Sequence, residues 1–125
     1  MTPLQTQFEI LKESYPQALM EELPSGAVLI IISDFPVPTG WSKDNATLRF
    51  LAPVGYPFAK PDCFWVDSDF RLKNGAMPKN AQIQVIPEVD GSYSWFSWHV
   101  GHWNPNKDNL STFVRVVINR FKEAQ

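Results

Sequence analysis

Ser97 and His99 stand two residues apart in the run Ser94-Trp95-Phe96-Ser97-Trp98-His99. In an extended strand such a spacing puts both side chains on one face. An imidazole there can take the proton of the hydroxyl while the serine oxygen attacks an acyl carbon. His102, three residues on, can orient or replace His99. Asp90 and Asp108 flank the segment, but no local signal marks either as a third member of a triad. The His99/His102 spacing would suit zinc, yet no further ligand lies nearby in the sequence, so neither a metal nor a cofactor is expected.

Cys63 is the only cysteine, which excludes an internal disulfide framework. Flanked by Phe64 and Trp65, and with no histidine or lysine beside it, it reads as a small buried residue with an inert thiol. A second reading of the aromatic segment competes with catalysis. Tyr93, Trp95, Phe96, Trp98 and Trp103, with the two histidines, could simply plug one side of a sheet, or form a docking surface for a protein partner.

The elements that must position these groups follow from periodicity. Leu4, Phe8, Leu11 and Tyr15 lie on one face of an N-terminal helix opened by Thr2-Pro3 and interrupted by Pro16. A second short helical piece is expected over residues 17–23, before Pro24-Ser25-Gly26. Residues 27–33 are apolar and β-branched, which predicts a strand buried on nearly both faces and ended by Asp34-Phe35-Pro36. A turn at 36–40 and a polar connection at 42–45 lead to a half-exposed strand over 46–51. Residues 63–66 form another short strand, ended by Asp67-Ser68-Asp69.

Between these last two strands, Gly55-Tyr56-Pro57-Phe58-Ala59-Lys60-Pro61 is too stiff to be strand or helix, because each proline fixes its own φ and restricts the residue before it. Residues 70–93 read as a long exposed excursion, with a turn at Lys73-Asn74-Gly75 and a short strand over 82–86. Leu110, Phe113, Val114, Val117, Ile118 and Phe121 then make the apolar stripe of a C-terminal helix capped by Asp108 or Asn109. Arg120 and Lys122 in its last turn complement the helix dipole.

With 125 residues, 44% hydrophobic and 19% charged, the chain is expected to form one domain over residues 1–125. Its net charge of −2 argues against partners that are nucleic acids or anionic membranes. No apolar run approaches the roughly 20 residues needed to span a bilayer, and no positive segment precedes an apolar one at the N-terminus. A cytoplasmic protein is expected.

The order of these features resembles the ubiquitin-conjugating-enzyme (UBC-like) superfamily. Trp41 before a polar turn, the alternating strand from Thr47 to Leu51, Tyr56-Pro57-Phe58 with Pro61, the strand from Phe64, and Trp103-Asn104-Pro105 before a helix carry the likeness. It implies an α+β fold, an antiparallel β-meander with the N-terminal and C-terminal helices packed on one face. The usual catalytic cysteine and the His-Pro-Asn tripeptide of that family are missing, the nearest echo of the latter being Met77-Pro78-Lys79-Asn80.

Ser97-Trp98-His99 together with Asp108-Asn109-Leu110 resembles the bacterial, E-type branch of the superfamily. That branch implies partnership with a ubiquitin-activating-like enzyme and a ubiquitin-like protein. On this likeness the chain accepts a ubiquitin-like C-terminus and passes it to an amine through a serine oxyester. Ser97 and His99 are the first candidates, with His102 in support. Ser94 matches the lost cysteine by its distance from Trp103, and Cys63 comes last. The alternative is a catalytically inactive UBC-like module that scaffolds the activating enzyme and the ubiquitin-like protein.

Overall fold

Residues 2–125 are described by the computed structural model. The first helix, α1 (Pro3–Ser14), starts where its caps require it to. Thr2 Oγ1 accepts the Gln5 N–H at 3.1 Å, the Gln5 side chain accepts the Thr2 N–H at 2.9 Å, and Pro3 occupies the first helical position. Six strands follow: β1 (Leu19–Glu22), β2 (Val28–Pro36), β3 (Asn45–Ala52), β4 (Phe64–Val66), β5 (Ala81–Gln84) and β6 (Tyr93–Phe96). The chain then enters α2 (Leu110–Phe121), capped by Asn109, whose side chain accepts the Thr112 N–H at 3.0 Å.

All neighbouring strands are antiparallel and the sheet order is β1-β2-β3-β4-β6-β5. The meander therefore holds through β4, after which β5 takes the edge and β6 fills the place beside β4. The fold is α+β, with an N-terminal and a C-terminal helix, consistent with a UBC-like fold.

Several local expectations change. Residues 17–23 contain no helix: β1 pairs from Leu19 opposite Ile31 to Glu22 opposite Val28, in a hairpin turned at Gly26 with φ 95°. A segment this short gains little as a helix, whereas the β2 edge satisfies its backbone at once. Asp34-Phe35-Pro36 does not end β2 either. Asp34 adopts φ 52° and the register shifts between Ile32 and Phe35, so a bulge carries the strand on to Pro36.

The excursion over 70–93 is better anchored than its polarity suggests. Phe70 and Ile86 are buried, Leu72 bridges to Trp41, and β5 begins at Ala81. The Glu88 carboxylate accepts both the Ser25 N–H at 2.9 Å and its hydroxyl at 2.5 Å, fastening the excursion to the β1–β2 turn.

Strand alternation sorts the side chains into two layers. Ala46, Leu48, Phe50 and Ala52 of β3 point with Ile30, Ile32, Phe64 and Phe96 into the main core, which both helices cover through Phe8, Leu11, Phe113 and Val117. The opposite face buries a smaller cluster of Leu29, Trp65 and Ile86 with Leu23 and Ala27, flanked by Tyr93 and Trp95. The segment expected as one aromatic plug is thus divided between the two faces, while His99 and His102 stay exposed.

Arg120 stands in the last turn of α2, as expected, and its side chain is drawn into the interior. It is 3% exposed, donates to the carbonyls of Lys79, Glu123 and Gln125, and lies 5.2–5.5 Å from the ring centroids of Trp41, Phe96 and Trp98. Burial lowers its pKa, and the carbonyl and ring partners hold the charge where water is excluded. Next to it, the Phe121 ring meets those of Phe35, Trp41, Phe64, Phe70 and Phe96. Phe121→Ala should therefore cost about 3–5 kcal/mol, read as a fall in the urea midpoint. A loss below about 1 kcal/mol would show that the cluster repacks without it.

Candidate functional site

The rigid bend holds the site in place. Its Tyr56-Pro57 peptide is cis, the Tyr56 hydroxyl bonds the Gln7 side chain of α1, and the Trp103 indole donates to the Pro57 carbonyl at 2.8 Å. The Tyr56 and Trp103 rings lie 6.1 Å apart. Lys60 Nζ adds a hydrogen bond to the Val100 carbonyl at 2.8 Å. Together these contacts lay the end of the bend, residues 60–63, alongside residues 97–100.

Strand pairing completes the junction. β4 and β6 align Phe64 opposite Phe96, and just beyond the ladder the Cys63 N–H donates to the Trp98 carbonyl at 3.0 Å. Cys63 sits at φ 62°, a left-handed conformation uncommon for a residue with a side chain. The result is that Asp62 meets His99: Nδ1 of the ring is 2.5 Å from Asp62 Oδ1. Both side chains are half exposed, at 50% for Asp62 and 59% for His99. In the tautomer that donates Nδ1–H to the carboxylate, the free lone pair lies on Nε2.

Ser97 lies outside β6, which ends at Phe96, so strand alternation does not place it with His99. A groove does. Asn80, Ser97, Trp98 and His99 line one open depression, and the Ser97 N–H is held by the Asn80 carbonyl at 2.8 Å. No hydrogen bond joins Ser97 to His99 among the described residues. Asn80 takes φ 60°, which asparagine tolerates better than most residues, and this brings the one legible remnant of the Met77-Pro78-Lys79-Asn80 run against the groove.

The other candidates are placed differently. Ser94 is wholly buried in β6, opposite Val66 and Ile83, and its hydroxyl has no partner among the described residues. It faces the main core rather than the groove. His102 is exposed and takes no part in the Asp62–His99 pair. Cys63 is 8% exposed, and burial pushes its thiol up, offset in part by hydrogen bonds from the Trp98 backbone and the Trp95 side chain. Yet it is not isolated: its sulfur, an Asp62 oxygen and a His99 ring nitrogen all lie within 4.8 Å of one another.

Asp62 is the group that spacing could not supply, because it is 37 residues from His99 in the chain. The signal was present in a different form. If the strand before Asp67 pairs antiparallel with the strand before Ser97, the residues leading into the first must lie beside those leaving the second. Of the nearer acids, the Asp108 carboxylate accepts the Asn104 N–H at 2.6 Å, while Asp90 accepts the Tyr93 hydroxyl through its backbone carbonyl.

A family model described as Prokaryotic E2 family E matches residues 9–124. Comparison with curated proteins and with solved structures gave no match. No helix among the described residues is long and apolar enough to cross a membrane.

The raised thiol has a direct consequence. Ellman's reagent should modify Cys63 in the native protein at neutral pH more slowly than in urea, since burial both raises the thiol above its ordinary value, leaving less thiolate, and hinders access. Equal rates in the two states would mean that the thiol is open to solvent.

Proposed function

The chain belongs to prokaryotic E2 family E, and on that premise we propose that it transfers the C-terminus of a ubiquitin-like protein from an activating enzyme to an amine, with Ser97 as acyl acceptor and His99 as base. Membership in an E2-like family implies dealings with an activating enzyme and a ubiquitin-like protein in general terms. The observation that supports chemistry at this groove is the Asp62–His99 pair at 2.5 Å. A carboxylate on Nδ1 fixes the ring and stabilises the imidazolium that forms when Nε2 takes a proton, the same division of labour as in serine hydrolases.

In the first step Ser97 Oγ attacks the acyl carbon of the donor thioester. The new C–O bond replaces the C–S bond, and His99 carries the serine proton to the departing thiolate. In the second step the amine attacks the oxyester, a C–N bond replaces the C–O bond, and the proton lost by the amine returns to Ser97 through the same ring. Asn80, on the wall of the groove, offers a side-chain amide to the oxyanion that forms in each step. His102 stands close in sequence as an exposed substitute for His99.

One observation favours a second reading, an inactive module that binds and positions its partners. Phe58, at the tip of the bend, is 82% exposed, and a large exposed aromatic ring on a rigid corner suits a binding hot spot.

Reconstitution with an activating enzyme, a ubiquitin-like protein and magnesium-ATP, in the presence of a chelator that takes zinc but spares magnesium, separates the two. The expected product is a hydroxylamine-sensitive adduct that resists mild thiols and is absent in Ser97→Ala. His99→Gln should slow its formation by about 100-fold or more, within the usual contribution of a general base. A full adduct in Ser97→Ala would overturn the choice of Ser97 as acceptor. Binding of either partner without any adduct would establish the scaffold reading in place of the enzyme.

A further inference from the structure

Cys63 has no part in the serine pathway, yet its sulfur shares a small volume with the two side chains that do. We propose that Asp62, Cys63 and His99 form a binding site for a divalent transition metal ion of the zinc class, with three protein ligands and a fourth position open to water. The three groups offer one oxygen, one sulfur and one nitrogen, all within 4.8 Å of one another. Around a tetrahedral zinc ion the same donor types stand about 3.3–3.6 Å apart, as follows from bond lengths of about 2.0–2.3 Å. Asp62 Oδ1 and His99 Nδ1, 2.5 Å apart, must part by about an ångström to admit an ion between them and the sulfur, a movement open to half-exposed side chains.

The chemistry selects the ion. A thiolate ligand disfavours magnesium and calcium, which take oxygen, and a mixed sulfur, nitrogen and oxygen set suits zinc or its congeners. Size selects the kind of occupant. Cys63 is 8% exposed, so a single ion seated between the three side chains meets its thiol with less rearrangement than a protein C-terminus would need. The left-handed φ of 62° and the Cys63 N–H bond to the Trp98 carbonyl fix the relation between the strand that bears Asp62 and Cys63 and the segment that bears His99. The site shares Asp62 and His99 with the acyl-transfer reading, so a seated ion takes the base out of service and loading and transfer exclude each other.

Cobalt(II) titration of chelator-stripped, tag-free protein under a non-thiol reductant tests the site without any conjugation partner. A sulfur-to-cobalt charge-transfer band in the near ultraviolet should saturate at one ion per chain, together with visible bands of tetrahedral intensity, and zinc should displace both. Cys63→Ser should abolish the charge-transfer band, while His99→Gln and Asp62→Asn, both at half-exposed positions, should weaken cobalt binding at least about tenfold. The absence of the band in the wild-type protein, or its survival undiminished in His99→Gln, would overturn the proposal. Because the transfer assay is run in chelator, loss of one activity is read independently of the other.

Discussion

Phe121 closes the molecule from the end of α2, and most of what matters at the groove depends on that closure. Its ring packs among aromatic side chains from β2, β4, β6 and the start of the excursion, while its carbonyl accepts the Trp41 indole N–H at 2.8 Å. Aromatic packing of this kind buries large apolar area in a few fixed geometries, so the last turn of α2 cannot slide along the sheet without losing both the packing and the hydrogen bond. The preceding residue inherits that position. Arg120 is carried under Trp98, where its guanidinium faces the ring at 5.3 Å and reaches the Lys79 carbonyl beside Asn80. The helix therefore supports both walls of the groove from below without contributing a side chain to its surface.

The groove itself is a junction of two irregular segments held by polar contacts at its rim and by strand pairing behind it. Irregular backbone is where a fold can aim side chains that alternation would otherwise direct inwards. Asp62 and His99 profit from this, since both lie just outside the β4–β6 ladder and stay half exposed while bonded to each other. Ser94, two residues inside the same ladder, is lost to the core. Cys63 lies at the border, a buried residue whose sulfur is within 4.8 Å of the Asp62 and His99 ligand atoms. The two proposed chemistries thus meet at a single pair of side chains, proton transfer at the ring nitrogen that points away from Asp62, and ion binding at the cluster around the carboxylate.

Much of the architecture was legible in the residues. The Thr2-Pro3 cap, the alternation from Ala46 to Leu51 and the stripe from Leu110 to Phe121 are local rules, and each element appears where its rule puts it, to within a residue. The resemblance carried by Trp41, Tyr56-Pro57-Phe58 and Trp103-Asn104-Pro105 extended this to the fold, and the contacts of the Trp103 indole with Pro57 and of the Trp41 indole with Phe121 show those residues acting as long-range fasteners. Where local rules failed, a tertiary contact had overruled them. Residues 17–23 became an edge strand because β2 offered unpaired backbone, and Arg120 was drawn inwards by carbonyls and rings that no helical wheel contains.

By itself the sequence determined that a helix, a sheet and a second helix would be joined by a stiff aromatic bend, and that a hydroxyl and two imidazoles follow it close together in the chain. These follow from periodicity, from proline and from residues close in the chain, interactions that need no knowledge of the rest. Only the tertiary structure decided which imidazole acquired a carboxylate, which serine remained at the surface and which atoms surround Cys63. Asp62 and His99 are 37 residues apart, and their meeting depends on the register of β4 against β6 and on the left-handed turn at Cys63. Register and backbone hand are set by the packing of the whole sheet, so no local pattern encodes them.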